Sequence, residues 1–97
     1  MEIIHLEKEN FNDLIKNKVL VDFYAEWCGP CKMLAPELEK VDSTLSCVKV
    51  NVDEFEDLAR EYGVMSIPTL ILFEDGKPIN KSVGFMDRKK IESFIKE

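Results

Sequence analysis

Long apolar runs are missing from this sequence. No stretch approaches the roughly 18 consecutive apolar residues that a membrane-spanning helix requires. Residues 1–8 also lack the basic segment and the apolar segment of a secretory signal. We therefore expect a cytoplasmic protein without a membrane partner.

Positive charge is outnumbered by negative charge. The 97 residues carry 13 Lys and Arg against 19 Asp and Glu, which gives a formal net charge of −6. This charge opposes nonspecific attraction to nucleic acid, so we expect no nucleic-acid partner. The chain has 45% hydrophobic and 33% charged residues and no repeat, low-complexity tract or internal linker, which predicts one globular domain over residues 1–97.

Cysteine and histidine, the usual ligands of structural zinc sites, are few. The chain has three cysteines and one histidine, and a structural zinc site needs four ligands. A zinc site would have to combine Cys28 and Cys31 with Cys47 and His5, and it remains the alternative to redox chemistry. The odd cysteine count suits a reducing compartment better than a disulfide-stapled scaffold. We expect neither a metal nor an organic cofactor.

The sequence does contain a pair of closely spaced cysteines, Cys28 and Cys31, behind the apolar run Val19–Tyr24. If that run is a strand and a helix begins at Cys28, the first sulfur faces free backbone N–H groups and the positive end of the helix dipole, which favour a thiolate. Pro30 fits a first helical turn, where its missing N–H is not needed. The pattern predicts dithiol/disulfide exchange, in which Cys28 attacks from the exposed helix start and Cys31, one turn deeper, resolves the mixed disulfide.

Apolar periodicity and turn signals predict nine elements in the order βαβαβαββα. The β-α-β crossovers need parallel pairing, whereas the tight Asp75-Gly76 turn needs antiparallel pairing. The fold class is therefore α/β, with a central mixed β-sheet flanked by helices on both faces. The predicted strands cover residues 3–6, 19–24, 48–52, 69–73 and 78–83, and the predicted helices cover residues 9–16, 28–45, 56–62 and a last segment capped by Asp87.

Two segments carry a resemblance to a known family. Residues 21–32, read VDFYAEWCGPCK, resemble the redox-active segment of the thioredoxin family, and residues 66–69, read SIPT, resemble its cis-proline loop. The resemblance covers residues 3–95, although Tyr24 stands where the family often has Trp and Cys47 has no counterpart in the motif. It implies the thioredoxin fold and a monomeric protein-disulfide reductase that keeps thiols of its client proteins reduced. It also implies re-reduction by a thioredoxin reductase, either flavin-dependent and drawing on NADPH or ferredoxin-linked.

Asp22 interrupts an apolar strand, and burial would disfavour its charged form and raise its pKa. The resemblance implies that Asp22 passes protons to and from Cys31 and that Lys49 pairs with this acid. Alternation along the strand leaves an outward-facing Asp22 open, because the run is apolar on both faces. A solvated lysine at a strand edge is the alternative for Lys49.

The resemblance also implies a substrate groove around the cysteines. Pro68 after Ile67 is the expected cis proline, which would leave the Ile67 backbone free to pair with an extended substrate peptide. An ordinary trans proline at the start of a strand is the alternative. Trp27 is expected as an apolar wall and Gly84 as a point of close backbone approach. The remaining expected groove residues are Gly29 and Pro30.

Two other functions are compatible with the sequence. One is an oxidase or isomerase of the protein-disulfide-isomerase type, although Gly29-Pro30 between the cysteines resembles reductases rather than the oxidising motifs that contain His. The other is a docking subunit whose cysteines are incidental. The presence of Cys28, Cys31, Asp22 and Pro68 argues against the docking subunit.

Overall fold

The computed structural model describes residues 1–8 and 10–96. Over these residues the chain forms five strands and four helices in the predicted order. The elements are β1 (Glu2–His5), α1 (Phe11–Leu14), β2 (Val19–Tyr24), α2 (Gly29–Lys40), β3 (Ser46–Asn51), α3 (Glu56–Glu61), β4 (Thr69–Glu74), β5 (Lys77–Val83) and α4 (Arg88–Phe94).

The five strands form one sheet in the order β1-β3-β2-β4-β5. Strands β1 and β2 pair with β3 in parallel, and β4 pairs with β2 and β5 in antiparallel orientation. The register places Asp22 opposite Lys49 on one side and Leu70 on the other. Asp75 and Gly76 both adopt positive φ, of 54° and 80°, as a tight turn between antiparallel strands requires. The predicted mixed sheet is confirmed.

The core lies on both faces of the sheet, because side chains alternate along each strand. On one face, Val21 and Phe23 of β2 pack with Phe11 of α1, and side chains of α3 border this cluster. On the other face, Leu20 of β2 packs with residues of α2 and α4, namely Leu34, Leu38 and Ile91. The predicted helices on both faces are confirmed. Asp22, which alternates with Val21 and Phe23, lies on the face that α2 covers.

The predicted length of α2 is wrong, because the helix ends at Lys40 rather than near Leu45. Val41 already has an extended backbone, with φ −66° and ψ 125°. Beyond it, the Ser43 hydroxyl accepts a hydrogen bond from the Leu45 backbone N–H at 3.1 Å, a local contact that competes with helical bonding. Val41 is nonetheless buried and Leu45 borders the same core cluster. The apolar spacing predicted burial correctly but not helix.

The other helices keep their predicted places with shorter ends. Helix α1 covers only Phe11–Leu14 of the predicted residues 9–16, and residue 9 lies outside the described residues. Gly63 follows α3 with a φ of 66°, and Asp87 caps α4 through a 2.9 Å hydrogen bond from the Lys90 N–H. No helix in the described part of the chain has the length and apolar character of a membrane span.

Candidate active site

Cys28 and Cys31 form a disulfide at the start of α2, with their Cα atoms 5.2 Å apart. Cys28 is the N-cap residue of the helix, and its Sγ accepts a hydrogen bond from the Cys31 backbone N–H at 3.2 Å. Pro30 lies in the first turn, where a proline costs no helical hydrogen bond. The first sulfur thus lies against a backbone N–H group at the positive end of the helix, the environment that stabilises a thiolate.

The predicted exposure of Cys28 is wrong for the disulfide form. Cys28 is 4% exposed and Cys31 is 2% exposed, so both lie below the surface. They pack with Ala25 and are bordered by Tyr24 and Ile67. The Cys28 sulfur lies 3.8 Å from the Ile67 carbonyl oxygen. The difference between the two sulfurs therefore lies in their positions along the helix and not in their exposure.

Asp22 is fully buried on the sheet face covered by α2, as predicted from its place in an apolar strand. Neither of its carboxylate oxygens has a hydrogen-bond partner among the described residues. Burial raises the pKa of Asp22 from 3.8 to about 6, and the nearby Lys49 charge opposes that rise. The outward-facing alternative is wrong.

Lys49 is the cation next to this acid. Its Nζ lies 3.9 Å from Asp22 Oδ2, and its side chain is only 12% exposed, so a solvated strand-edge lysine is excluded. The same Nζ lies 4.3 Å from the centroid of the Tyr24 ring. Burial, followed by the charges of Glu26 and Glu54, raises the pKa of the Tyr24 hydroxyl. The side chains at positions 22, 24 and 49 thus form one cluster, in which Tyr24 borders the disulfide cysteines.

The loop before β4 brings Ile67 and Pro68 to the cysteines. The Ile67-Pro68 peptide bond is cis, which confirms the prediction and excludes the trans alternative. The Thr69 hydroxyl donates to the Ser66 carbonyl at 2.6 Å. Gly84, with a φ of 101°, donates its N–H to the Pro68 carbonyl at 2.8 Å. Gly84 therefore contacts the proline loop through its backbone, whereas its place in the substrate groove stays a prediction.

Trp27 forms part of the surface beside the disulfide. Its side chain is 70% exposed, and its Nε1 donates to Asp53 Oδ2 at 2.9 Å. Gly29 and Pro30 are exposed next to it. Sequence reasoning missed Asp53, because it lies 26 residues from Trp27 and no motif marks it. A cleft of about 450 Å³ adjoins this surface and is lined by Trp27, Val52, Ala59, Val64, Met65, Ser66 and Ile67.

Cys47 lies away from the redox pair. Its side chain is fully buried in the core cluster beneath α2 and α4, and burial raises the pKa of its thiol far above the usual range. His5 lies on the edge strand β1 with an exposed side chain. The described residues bring no three His, Cys, Asp or Glu side chains together in a way that could hold a metal ion.

Comparisons with known proteins agree with this geometry. The family model described as Thioredoxin matches residues 2–97. Over 93 residues the chain is 50% identical to the thioredoxin of Chlamydia caviae, a match that covers 92% of this chain and 91% of that relative. Over 100 residues it is 42% identical to the thioredoxin of Bacillus subtilis, a match that covers 98% and 96%.

Solved structures of similar proteins have the same fold. A mutant thioredoxin from Halobacterium salinarum superposes with a TM-score of 0.91 at 37% identity, covering 98% of this chain and 88% of that chain. The oxidised form of mitochondrial thioredoxin 3 from Saccharomyces cerevisiae superposes with a TM-score of 0.84 at 41% identity, covering 97% and 93%.

Proposed function

The chain belongs to the thioredoxin family, and we propose that Cys28 is the attacking thiol and Cys31 the resolving thiol of its dithiol/disulfide exchange. Membership makes the protein an oxidoreductase, a thiol-disulfide reductase that acts on protein disulfides and is itself reduced by a reductase. The observation that carries the assignment of roles is the position of Cys28 as the helix N-cap, with its sulfur accepting the Cys31 N–H.

In the proposed reaction, the Cys28 thiolate attacks one sulfur of the substrate disulfide. The substrate S–S bond breaks, a mixed disulfide forms, and the departing substrate sulfur takes up a proton. The Cys31 thiolate then attacks the Cys28 sulfur and releases the second substrate sulfur as a thiol. The protein ends with the Cys28–Cys31 disulfide, and the substrate has gained two electrons and two protons.

Asp22 is proposed to accept the proton of Cys31 and to pass it to the departing substrate thiolate, which leaves as a thiol. Support comes from its burial on the face covered by α2 and from a pKa raised to about 6, close to neutral pH. Lys49 is proposed to hold this pKa down. The replacement Asp22→Asn keeps the shape of the side chain, and we expect it to slow resolution of the mixed disulfide in single-turnover measurements. An unchanged resolution rate would rule out the relay.

The surface beside the disulfide is proposed as the substrate groove. The exposed Trp27 ring would cover the substrate side chains, and the exposed Gly29 and Pro30 would let a substrate backbone approach. The Ile67 backbone beside the Cys28 sulfur is proposed to pair with an extended substrate segment, as in strand addition. Gly84 is proposed to support this loop through its contact with the Pro68 carbonyl.

The roles of the two thiols can be tested by trapping. With a disulfide-bonded test protein, Cys31→Ser should accumulate a covalent complex, whereas Cys28→Ser should form none. The matched control is Cys47→Ser, which should leave trapping and turnover unchanged because that side chain is fully buried. Non-reducing electrophoresis and mass spectrometry identify the complex. Accumulation of the complex by Cys28→Ser instead would reverse the assignment.

The partners and setting are further proposals. The reductase is either a flavin enzyme drawing on NADPH or a ferredoxin-linked enzyme, and reduction of the oxidised protein by neither would contradict this. A single monomeric domain over residues 1–97 is proposed, which sedimentation tests. The protein is proposed to act in the cytoplasm on client proteins, without nucleic-acid or membrane partners, and fractionation tests the compartment.

The reduction potential of the Cys28–Cys31 couple distinguishes a reductant from an oxidase or isomerase. We expect a low potential, because Gly29-Pro30 resembles the reducing members of the family. A potential near that of the oxidising enzymes, above about −200 mV, would favour the alternative.

A further inference from the structure

Tyr24 lies directly against the lysine that faces the buried acid. The Lys49 Nζ is 4.3 Å from the centroid of the Tyr24 ring and 3.9 Å from Asp22 Oδ2. A cation within about 6 Å of an aromatic centroid is attracted by the electron-rich face of the ring. The ammonium therefore lies beside one carboxylate and one ring, which belong to the same strand with a single residue between them.

The contact with Asp22 does not fix the ammonium by itself. A distance of 3.9 Å is longer than a hydrogen bond, and both Asp22 oxygens lack hydrogen-bond partners among the residues described. Lysine carries a compact, strongly hydrated charge on a flexible stem, so without another contact the ammonium would turn toward water. The Tyr24 ring is in a position to hold it.

We propose that Tyr24 is a positioning residue, whose ring holds the Lys49 ammonium beside Asp22 and so determines how strongly the buried carboxyl experiences that charge. In this role Tyr24 acts through Lys49, although its side chain also borders the cluster that contains the two cysteines. Any effect of Tyr24 on the rate of disulfide reduction rests on the proposed proton transfer by Asp22. Its effect on the Asp22 pKa does not depend on that proposal.

Among the described groups on this face of the sheet, Lys49 is the charge that Tyr24 can position beside Asp22. Cys47 of β3 is a buried thiol that burial keeps neutral. Cys31 of α2 is held in the disulfide in the oxidised protein. The residue of β4 opposite Asp22 is Leu70, which carries no charge, and α4 presents apolar side chains to this face. Lys49 is also the charge that opposes the rise of the Asp22 pKa.

A series of substitutions at position 24 tests the inference in the oxidised protein. Carboxyl carbon NMR reports the Asp22 pKa directly, and Cys31 does not titrate in this form. Tyr24→Leu removes the aromatic face but keeps an apolar side chain, and it should raise the Asp22 pKa by about half a pH unit. Tyr24→Phe should rescue the original value, and Tyr24→Trp should match it or lower it. Tyr24→Met serves as a second aliphatic variant if Tyr24→Leu does not fold.

The same series in a Lys49→Met background is the control. Lys49→Met should itself raise the Asp22 pKa, and Tyr24→Leu should add no further change once the ammonium is gone. An unchanged pKa in Tyr24→Leu, or an equal rise in both backgrounds, would overturn the inference. The titration measures the Asp22 pKa and requires no turnover. If Asp22→Asn shows that Asp22 is not the proton relay, the effect of Tyr24 on the Asp22 pKa can therefore still be tested separately.

Discussion

Removing the Asp22 carboxyl should make the protein more stable at neutral pH and less active. The carboxyl is fully buried and its oxygens have no hydrogen-bond partners within the described residues. A buried charge without hydrogen bonds destabilises the native state, because the unfolded chain returns the same charge to water. We therefore expect Asp22→Ala to raise the free energy of unfolding at pH 7 and to slow disulfide reduction.

The magnitude follows from the pKa. Burial raises the pKa of Asp22 from 3.8 to about 6, and each pKa unit corresponds to about 1.4 kcal/mol. Below pH 3.8 the carboxyl is protonated in both states and its charge has no effect. Between pH 3.8 and about 6 the native state holds the extra proton, so stability falls as pH rises. Above that window, the buried charge of Asp22 lowers the free energy of unfolding by its full amount, about 3 kcal/mol. The cavity left by Asp22→Ala would offset about 1 kcal/mol of the stability gained by removing that charge.

The assay is urea unfolding of the oxidised protein well above the titration window, near neutral pH, and below the unfolded pKa of 3.8. Asp22→Ala should gain about 2 kcal/mol near neutral pH and lose about 1 kcal/mol in acid, where only the cavity counts. The matched control is Asp42→Ala, which removes an exposed carboxylate and should change stability by less than about 0.5 kcal/mol. An equal change at both pH values for Asp22→Ala would refute the electrostatic reasoning.

Two further substitutions test single contacts of the fold. Asp87→Ala removes the cap that accepts the Lys90 N–H at 2.9 Å, so chemical unfolding should show a loss of about 1 kcal/mol with disulfide reduction unchanged. Gly84→Ala places a side chain at a φ of 101°, which should cost about 1–2 kcal/mol. Because Gly84 also contacts the Pro68 carbonyl, this variant should reduce client disulfides more slowly. An unchanged rate would show that Gly84 is not part of the substrate groove.

The order of the elements was predictable because each has a local signal. The apolar run of β2, the helical spacing of Phe11 and Leu14, and the Asp75-Gly76 turn each act over a few residues. The end of α2 was not predictable in this way. The apolar spacing continues through Val41, but the backbone leaves the helix there and Ser43 bonds to the Leu45 N–H. The side chains after the helix end are still packed in the core, although the backbone there is no longer helical.

The candidate site shows the same distinction between features with a local sequence signal and features without one. The helix N-terminal position of Cys28 follows from its neighbours in the sequence, and the apolar run around Asp22 favoured its burial while leaving an outward-facing side chain open. The structure shows the helix N-terminal position and the burial. The hydrogen bond from Trp27 to Asp53 and the packing of Lys49 on the Tyr24 ring join separate segments. Such contacts depend on the register of β2 and β3 and on loop geometry, which no local pattern specifies.

Asp22 and Cys47 show how burial acts on two different acids that lie near the same lysine. Both side chains are fully removed from water. Burial, strengthened by the Asp22 charge, raises the pKa of the Cys47 thiol far beyond neutral pH, so this thiol remains a small apolar side chain. The Asp22 pKa stays at about 6 because Lys49 opposes the effect of burial. Lys49 opposes the rise for both groups, so the difference comes from the acids themselves: the raised carboxyl pKa still lies near neutral pH, whereas the raised thiol pKa does not. A buried group exchanges protons efficiently only when its pKa lies near the working pH, which makes Asp22 the one of the two that suits the proposed relay.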